Sequence, residues 1–297
     1  MHDHVHDHGA QTLADGGARL FWVMLLNLGI TLAQVLGGLV AGSLALLSDA
    51  VHNGSDVVAL VLAWAAAHIK RRPPTEHYTF GMKRVEILAA IFNAATLIGI
   101  SVYLSVEALG RLQDPPPVSP GVVVALAALG LVVNTASAWL LGGLSHGDLN
   151  IRAAWLHLAG DAATSAAVLA GGLGMLWLGA WWLDPVITLG ISVWLLHQSW
   201  RIVRSGVDVV LMAVPPRLSL EEIRAALREI DGVRDIHHVH LWQLDGTQVH
   251  FEAHVRVAPH TTVADTDRIR DRITHILRER FGIAHVTLQF ESRLCAA

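Results

Sequence analysis

The sequence predicts an α-helical membrane protein of six transmembrane helices, followed by a C-terminal α+β domain of ferredoxin-like order on the cytosolic side. Three observations predict it. Up to about residue 205 the chain holds six apolar runs near the roughly 20 residues a bilayer requires. The breaks between those runs carry loop chemistry, and after about residue 206 the pattern becomes charged and amphipathic. The chain therefore divides into a His-rich lead-in at 1–17, a membrane domain at 18–205 and a soluble domain at 206–297.

The lead-in, MHDHVHDHGAQTLADGG, is acidic and polar where a secretory signal is basic and then apolar, so no cleavable signal is expected. The apolar runs follow at about 18–41, 44–69, 84–110, 119–143, 150–178 and 182–203. KRRPPTEHYTFGMKR separates the second from the third, RLQDPPPVSP the third from the fourth, GGLSHGDLN the fourth from the fifth and GAWWLDP the fifth from the sixth. Trp177, Trp181 and Trp182 cluster at the last break, as an interfacial aromatic belt does. Lys70, Arg71, Arg72, Lys83 and Arg84 lie in one loop, and Arg152, Arg201 and Arg204 flank loops of the same parity. The opposite side holds only Arg111, so the positive-inside rule places both termini in the cytoplasm.

Beyond residue 206, Ser219 and Glu222 form a capping-box pattern opening an amphipathic helix to about 230. Residues 234–243 and 247–257 read as strands around a two-residue Asp245-Gly246 turn. A helix at about 263–281 and a strand at 285–291 complete an α-β-β-α-β order.

Composition removes several classes of function. The chain is 53% hydrophobic and 15% charged, with a net charge of −4, which gives nucleic acid nothing to bind. Its single cysteine, Cys295, excludes an intrachain disulfide framework. Histidine stands out, at 18 copies against 2 tyrosines.

The chemistry concentrates in two copies of His-x-x-x-Asp within apolar runs: His52 and Asp56, then His157 and Asp161. A spacing of four puts both side chains of a pair on one helix face. Ionisable groups at membrane depth are costly and default to a functional reading. The second and fifth runs are antiparallel, so the pairs reach a common level, and small residues around them allow close approach. Two imidazoles and two carboxylates are the donors of a tetrahedral zinc site. The competing reading is a set of interhelical hydrogen bonds to Asn27, Gln34, Asn93 or Asn134. Asp49, one turn before the first pair, is a candidate proton relay or part of an exit path.

SLALLSDAVHNGSD, HYTFGMKRVEILAAIFNA and HLAGDAATS, in this order on six spans with this tail, resemble the cation diffusion facilitator family over about 18–293. The resemblance implies a homodimeric secondary transporter, not an enzyme, which moves divalent metal out of the cytosol in exchange for protons. It implies His52, Asp56, His157 and Asp161 as the transport site, in the version that prefers Zn2+. Co2+ and Cd2+ accept similar donors. The host membrane expected is a bacterial inner membrane.

In the C-terminal domain a two-residue turn sets His237 opposite His254, with Glu252 and His250 on the same face. The resemblance adds His285 and Glu291 to His237 and His254 as a second metal site. His238 and His240 fall beside Val249, Phe251 and Ala253 in that register, under the helices, while His240 and His250 read as ordinary satisfied histidines. His2, His4, His6 and His8 form a loosely chelating lead-in. Relatives also suggest a charge interlock, here Arg84 with Asp208. Zincin chemistry is excluded, because no His-Glu-x-x-His occurs.

Overall fold

The computed structural model describes residues 8–142 and 149–293, with side chains described over 25–139 and 155–293. Six long helices come first: α1 (His8–Ala41), α2 (Leu44–Lys70), α3 (Val85–Arg111), α4 (Pro120–Gly142), α5 (Leu149–Leu178) and α6 (Leu183–Val210). Then follow α7 (Leu220–Arg228), β1 (Asp235–Gln243), β2 (Val249–Arg256), α8 (Val263–Phe281) and β3 (His285–Glu291). Five helices among the described residues are long and apolar enough to cross a membrane, and the described apolar part of α1, Leu25–Ala41, is shorter. Many large apolar side chains on them face outward, including Leu36, Val40, Trp64, Phe92, Trp139 and Trp177. That is the surface a helix bundle presents to lipid rather than to water.

The chain forms two compact units, one of Met1–Leu62 with Phe92–Arg201 and one of Ala63–Ile91 with Ile202–Ala297. In the first unit the start of α2 is fixed from outside the helix. Gly42, at φ +71°, makes the turn out of α1 with a backbone conformation that side chains resist. Ser43 Oγ then accepts from the Leu46 N–H at 3.1 Å and donates to Asp184 Oδ1 at 2.5 Å. Asp184 also accepts from the Leu44 and Ala45 N–H groups at 2.8 and 3.3 Å, so one buried carboxylate of α6 caps α2. Arg111 closes the corner by donating to the Gly42 carbonyl at 2.8 Å.

The second unit contains the three-stranded sheet, in order β1-β2-β3. β1 and β2 are antiparallel, α8 makes the crossover, and β3 runs parallel to β2. Phe251, Ala253 and Val255 on the inward face of β2 pack against Ile223 and Leu227 of α7 and Ile273 and Leu277 of α8. Both helices are capped. Ser219 Oγ accepts from the Glu222 N–H, and Thr262 with Asp265 forms a complete capping box on α8. Gly282, at φ 66°, ends α8 in the left-handed conformation.

The hairpin corrects one sequence expectation. Gln243 pairs with Val249, and the Leu244 N–H donates to Gln248 O at 2.9 Å, so three residues (245–247) turn the chain rather than two. Asp245 is the reason. Its Oδ1 accepts from Thr247 N, Thr247 Oγ1 and Gln248 N, each at 2.8 Å, a side-chain turn that competes with the two-residue form. A bulge between His237 and His240, with His238 at φ 48°, then absorbs the offset. Consequently His237 still faces His254, but His240 faces Glu252. His238 and His240 are exposed instead of lying under the helices.

Candidate metal centres

Helices α2 and α5 meet along a ladder of polar contacts that runs in opposite directions on the two. Asp49 meets Thr164, His52 meets Asp161, and Asp56 meets His157. Each step of three or four residues forward on α2 is matched by the same step back on α5, the register of antiparallel helices in direct contact. The four residues of the paired motif thus come together. His52 Nε2 lies 3.0 Å from Asp161 Oδ1, and His157 Nε2 lies 3.3 Å from Asp56 Oδ2. Within the motifs the separations are 3.7 Å for His52 Nδ1 to Asp56 Oδ2 and 3.9 Å for His157 Nε2 to Asp161 Oδ2.

These distances fit a zinc-sized ion. Nitrogen and oxygen donors about 2.0–2.1 Å from a tetrahedral metal stand about 3.3–3.4 Å from one another. The observed separations lie on either side of that edge. His52, Asp56 and Asp161 can each offer one donor atom within a common 4.8 Å. His52 turns a different ring nitrogen to each carboxylate, so it gives up one of the two contacts on binding an ion.

Burial is uneven. Asp161 is 2% and His52 5% exposed, whereas half of the His157 side chain is exposed, so the cluster opens on the His157 side. Asp56 Oδ2 is buried, and its neighbours are the His157 and His52 ring nitrogens at 3.3 and 3.7 Å, groups that share a cation when the rings are neutral. Trp194 of α6 stands edge to face with the His52 ring at 5.1 Å. It walls off one side of that imidazole.

The competing set of hydrogen bonds has its own place. Asp49, fully buried, accepts from Gln34 Nε2 at 2.8 Å, Thr164 Oγ1 at 2.8 Å and Ser165 Oγ at 3.1 Å. Asn53 Nδ2 donates to Gln34 Oε1, and Asn134 Nδ2 donates to Ser165 Oγ. Asn93 donates to Ser55. The amides therefore satisfy Asp49 and Ser55 rather than the four motif residues. Sequence reasoning did not find Thr164, Ser165 or Trp194, although the antiparallel register placing Thr164 beside Asp49 is readable once the two pairs are aligned.

A second cluster lies on the outward face of the sheet. His237, His254 and Glu291 bring one donor each within 4.8 Å. His254 Nδ1 is 2.7 Å from Glu291 Oε1, and His237 Nε2 is 3.4 Å from Glu291 Oε2. The two imidazole rings stand 5.5 Å apart. His285 does not join them. Parallel pairing of β2 with β3 sets it beside His250, four residues along β2 from His254. The exposed His238 packs against both His254 and His240, with ring centroids 4.7 Å away in each case.

Two further expectations end differently. Arg84 and Asp208 form no ion pair among the described residues, and the Nε and Nη2 atoms of Arg84 are buried without hydrogen-bond partners. Lys70 is the paired cation instead: its Nζ lies 3.2 Å from both Asp245 Oδ2 and Glu86 Oε2. Burial alone would raise the Asp245 carboxyl, but the Thr247 and Gln248 N–H groups, the Thr247 hydroxyl and Lys70 bring it down to about 2. His2, His4 and His6 lie outside the described residues, as does the side chain of His8.

A bundle of membrane-length helices that gathers two histidines and two aspartates at an interface between two of them defines a cation-handling membrane protein. Comparison with known proteins makes that class specific. The family described as "Cation efflux transmembrane domain" matches residues 20–211, and "Cation efflux protein, cytoplasmic domain" matches residues 215–293. The chain is 37% identical over 296 residues to the zinc transporter ZitB of Escherichia coli, covering 98% of this chain and 93% of that protein. It is 35% identical over 293 residues to the metal cation efflux system protein CzcD of Cupriavidus metallidurans, covering 98% and 90%. It is 31% identical over 291 residues to the cadmium, cobalt and zinc/H(+)-K(+) antiporter of Bacillus subtilis, covering 97% and 92%. The chain belongs to the cation diffusion facilitator family of cation efflux proteins, and is accordingly an integral membrane transporter rather than an enzyme.

Proposed function

We propose that the chain exports zinc from the cytoplasm in exchange for protons, through His52, Asp56, His157 and Asp161. The observation that carries the proposal is the meeting of the two His-x-x-x-Asp pairs across α2 and α5, at separations that suit one tetrahedral ion. Zinc also stands in the names of ZitB and of the Bacillus relative, and that relative is named an antiporter. Cobalt and cadmium, in the same name, suit the same donors.

The chemistry of the donors supplies the exchange. Imidazole must be neutral and carboxylate ionised to bind a dication, so loading expels protons and protonation expels metal. If the site faces one side of the membrane and then the other, that competition becomes antiport. Because two ligands ride on each helix, a rocking of α2 against α5 carries the access change and alters the site at once. Asp49 is the candidate relay: Thr164 Oγ1 donates to it and also reaches the Asp161 carbonyl at 2.9 Å. The termini are cytoplasmic, by the distribution of Lys and Arg. The sheet domain, which matches the family's cytoplasmic domain, joins two copies, and His237, His254 and Glu291 hold a zinc ion there.

Reconstituted protein tests this. With an outward-directed proton gradient, proteoliposomes take up zinc, and His52→Ala or Asp161→Ala abolishes uptake while the protein remains folded by circular dichroism. Undiminished uptake in either variant overturns the site. Uptake that ignores the imposed and then collapsed pH gradient overturns the exchange.

A further inference from the structure

The outward face of the sheet holds more imidazole than its three-residue cluster uses. His250 on β2 and His285 on β3 are register partners, and their rings lie 4.2 Å apart at a 45° tilt. His250 is 4% exposed, and its Nε2 is buried with no hydrogen-bond partner. A nitrogen shut away from water without a partner is costly, so its persistence calls for an occupant. The Trp242 ring stacks on His250 at 5.4 Å and 21°, and the Phe80 ring meets it edge-on at 5.8 Å. The imidazole is thereby held in place. Its partner His285 is exposed and free to turn.

We propose that His250 and His285 form a second divalent-metal site in the sheet domain, separate from His237, His254 and Glu291. The cation class is that of borderline metals such as zinc and cobalt, which imidazole prefers to calcium or magnesium. His250 and His254 are four residues apart on one strand, roughly 13 Å at about 3.3 Å per residue, so a single ion cannot serve both places. Two protein nitrogens leave the other coordination positions to water, which reaches the pair only from the exposed His285 side. Lys83 is the nearby positive charge, and its Nζ donates to Gln248 Oε1 at 2.5 Å. Asp245 supplies the compensating acid on the same hairpin.

The test uses the full-length protein in detergent micelles. His2, His4, His6 and His8 are replaced by alanine, and Asp161→Ala, His237→Gln and Glu291→Gln silence the other clusters. Equilibrium dialysis against zinc counts the ions that remain, and cobalt quenching of tryptophan emission, compared with and without Trp242→Phe, locates them. The expected result is one zinc per protomer in this background. Either His250→Gln or His285→Gln should remove it, and the Trp242-dependent quenching should vanish with it. His285→Gln changes an exposed side chain and leaves the fold intact, so that variant decides even where His250→Gln fails to fold. An unchanged zinc count in His285→Gln, or a background that binds none, overturns the proposal.

Discussion

The two three-residue clusters both combine imidazole with carboxylate, but on opposite kinds of scaffold. In the helical unit the donors divide between α2 and α5, which no backbone hydrogen bonds join, and the donors that meet are themselves largely buried. On the sheet the donors come from β1, β2 and β3, which the ladder holds at fixed spacing, and all three are partly exposed. A cluster divided between two movable helices changes its geometry when they shift. One fixed to three bonded strands does not. Burial adds to the contrast: an empty buried site leaves charges without solvent, while water fills an exposed one. The helical cluster is thus suited to gaining and losing its ion, and the sheet cluster to retaining one.

The sharpest way to break that comparison is to remove one carboxylate from each cluster. Asp161→Asn keeps the shape but removes the charge facing His52, and zinc uptake in proteoliposomes should fall by more than about 100-fold, beyond the range typical of losing a residue that only supports a ligand. Glu291→Gln should leave the same uptake within about tenfold. Equal losses in the two variants would mean that the sheet cluster lies on the transport route.

Next in size is a pair of substitutions separating the stability of the scaffolds. Leu277→Ala empties a fully buried position between α8 and the sheet, and should destabilise that domain by about 2–5 kcal/mol. Asp184→Ala strips the shared cap from α2, leaving Ser43 and two N–H groups without their acceptor, at about 1–3 kcal/mol for each buried group so orphaned. Thermal unfolding followed by domain-specific hydrogen exchange should show Leu277→Ala loosening the sheet domain only. Asp184→Ala should loosen the first turn of α2 and lower zinc uptake without altering zinc bound by the sheet.

Much of this was legible in the sequence because the strongest signals are local. Hydropathy set the six helices, and the predicted limits of α2, 44–69, stand within a residue of the observed Leu44–Lys70. The His-x-x-x-Asp spacing placed each pair on one face, and antiparallel connectivity placed the faces together. What escaped depended on choices between near-equal local structures. Asp245-Gly246 satisfies a two-residue turn on paper, but the Asp245 carboxylate captures Thr247 and Gln248 instead and lengthens the loop by one. That slip alone would have turned His237 away from His254, and the bulge at His238 reverses it. The expectation for His237 and His254 therefore survived an error in the turn, whereas those for His238 and His240 did not. The pairing of His285 with His250 depended on the register of a parallel strand reached through α8, for which the sequence has no local signal.

The smallest expected effect probes the Asp245 corner, where Lys70 and the turn meet on one carboxylate. A carboxyl held down to about 2 contributes stability that is fully present above the ordinary aspartate value of about 3.9 and disappears as the pH falls through about 2. Protection of the Thr247 and Gln248 amides against hydrogen exchange should accordingly be flat from neutral pH to about 4, then decline toward 2. Asp245→Asn retains an oxygen for the turn amides but not the charge facing Lys70, so the hairpin should persist with protection weakened by about 1 kcal/mol and no acid transition. A full loss of protection in that variant would mean that Lys70, rather than the turn itself, sets the three-residue loop. Retention of the acid transition would assign it to another group.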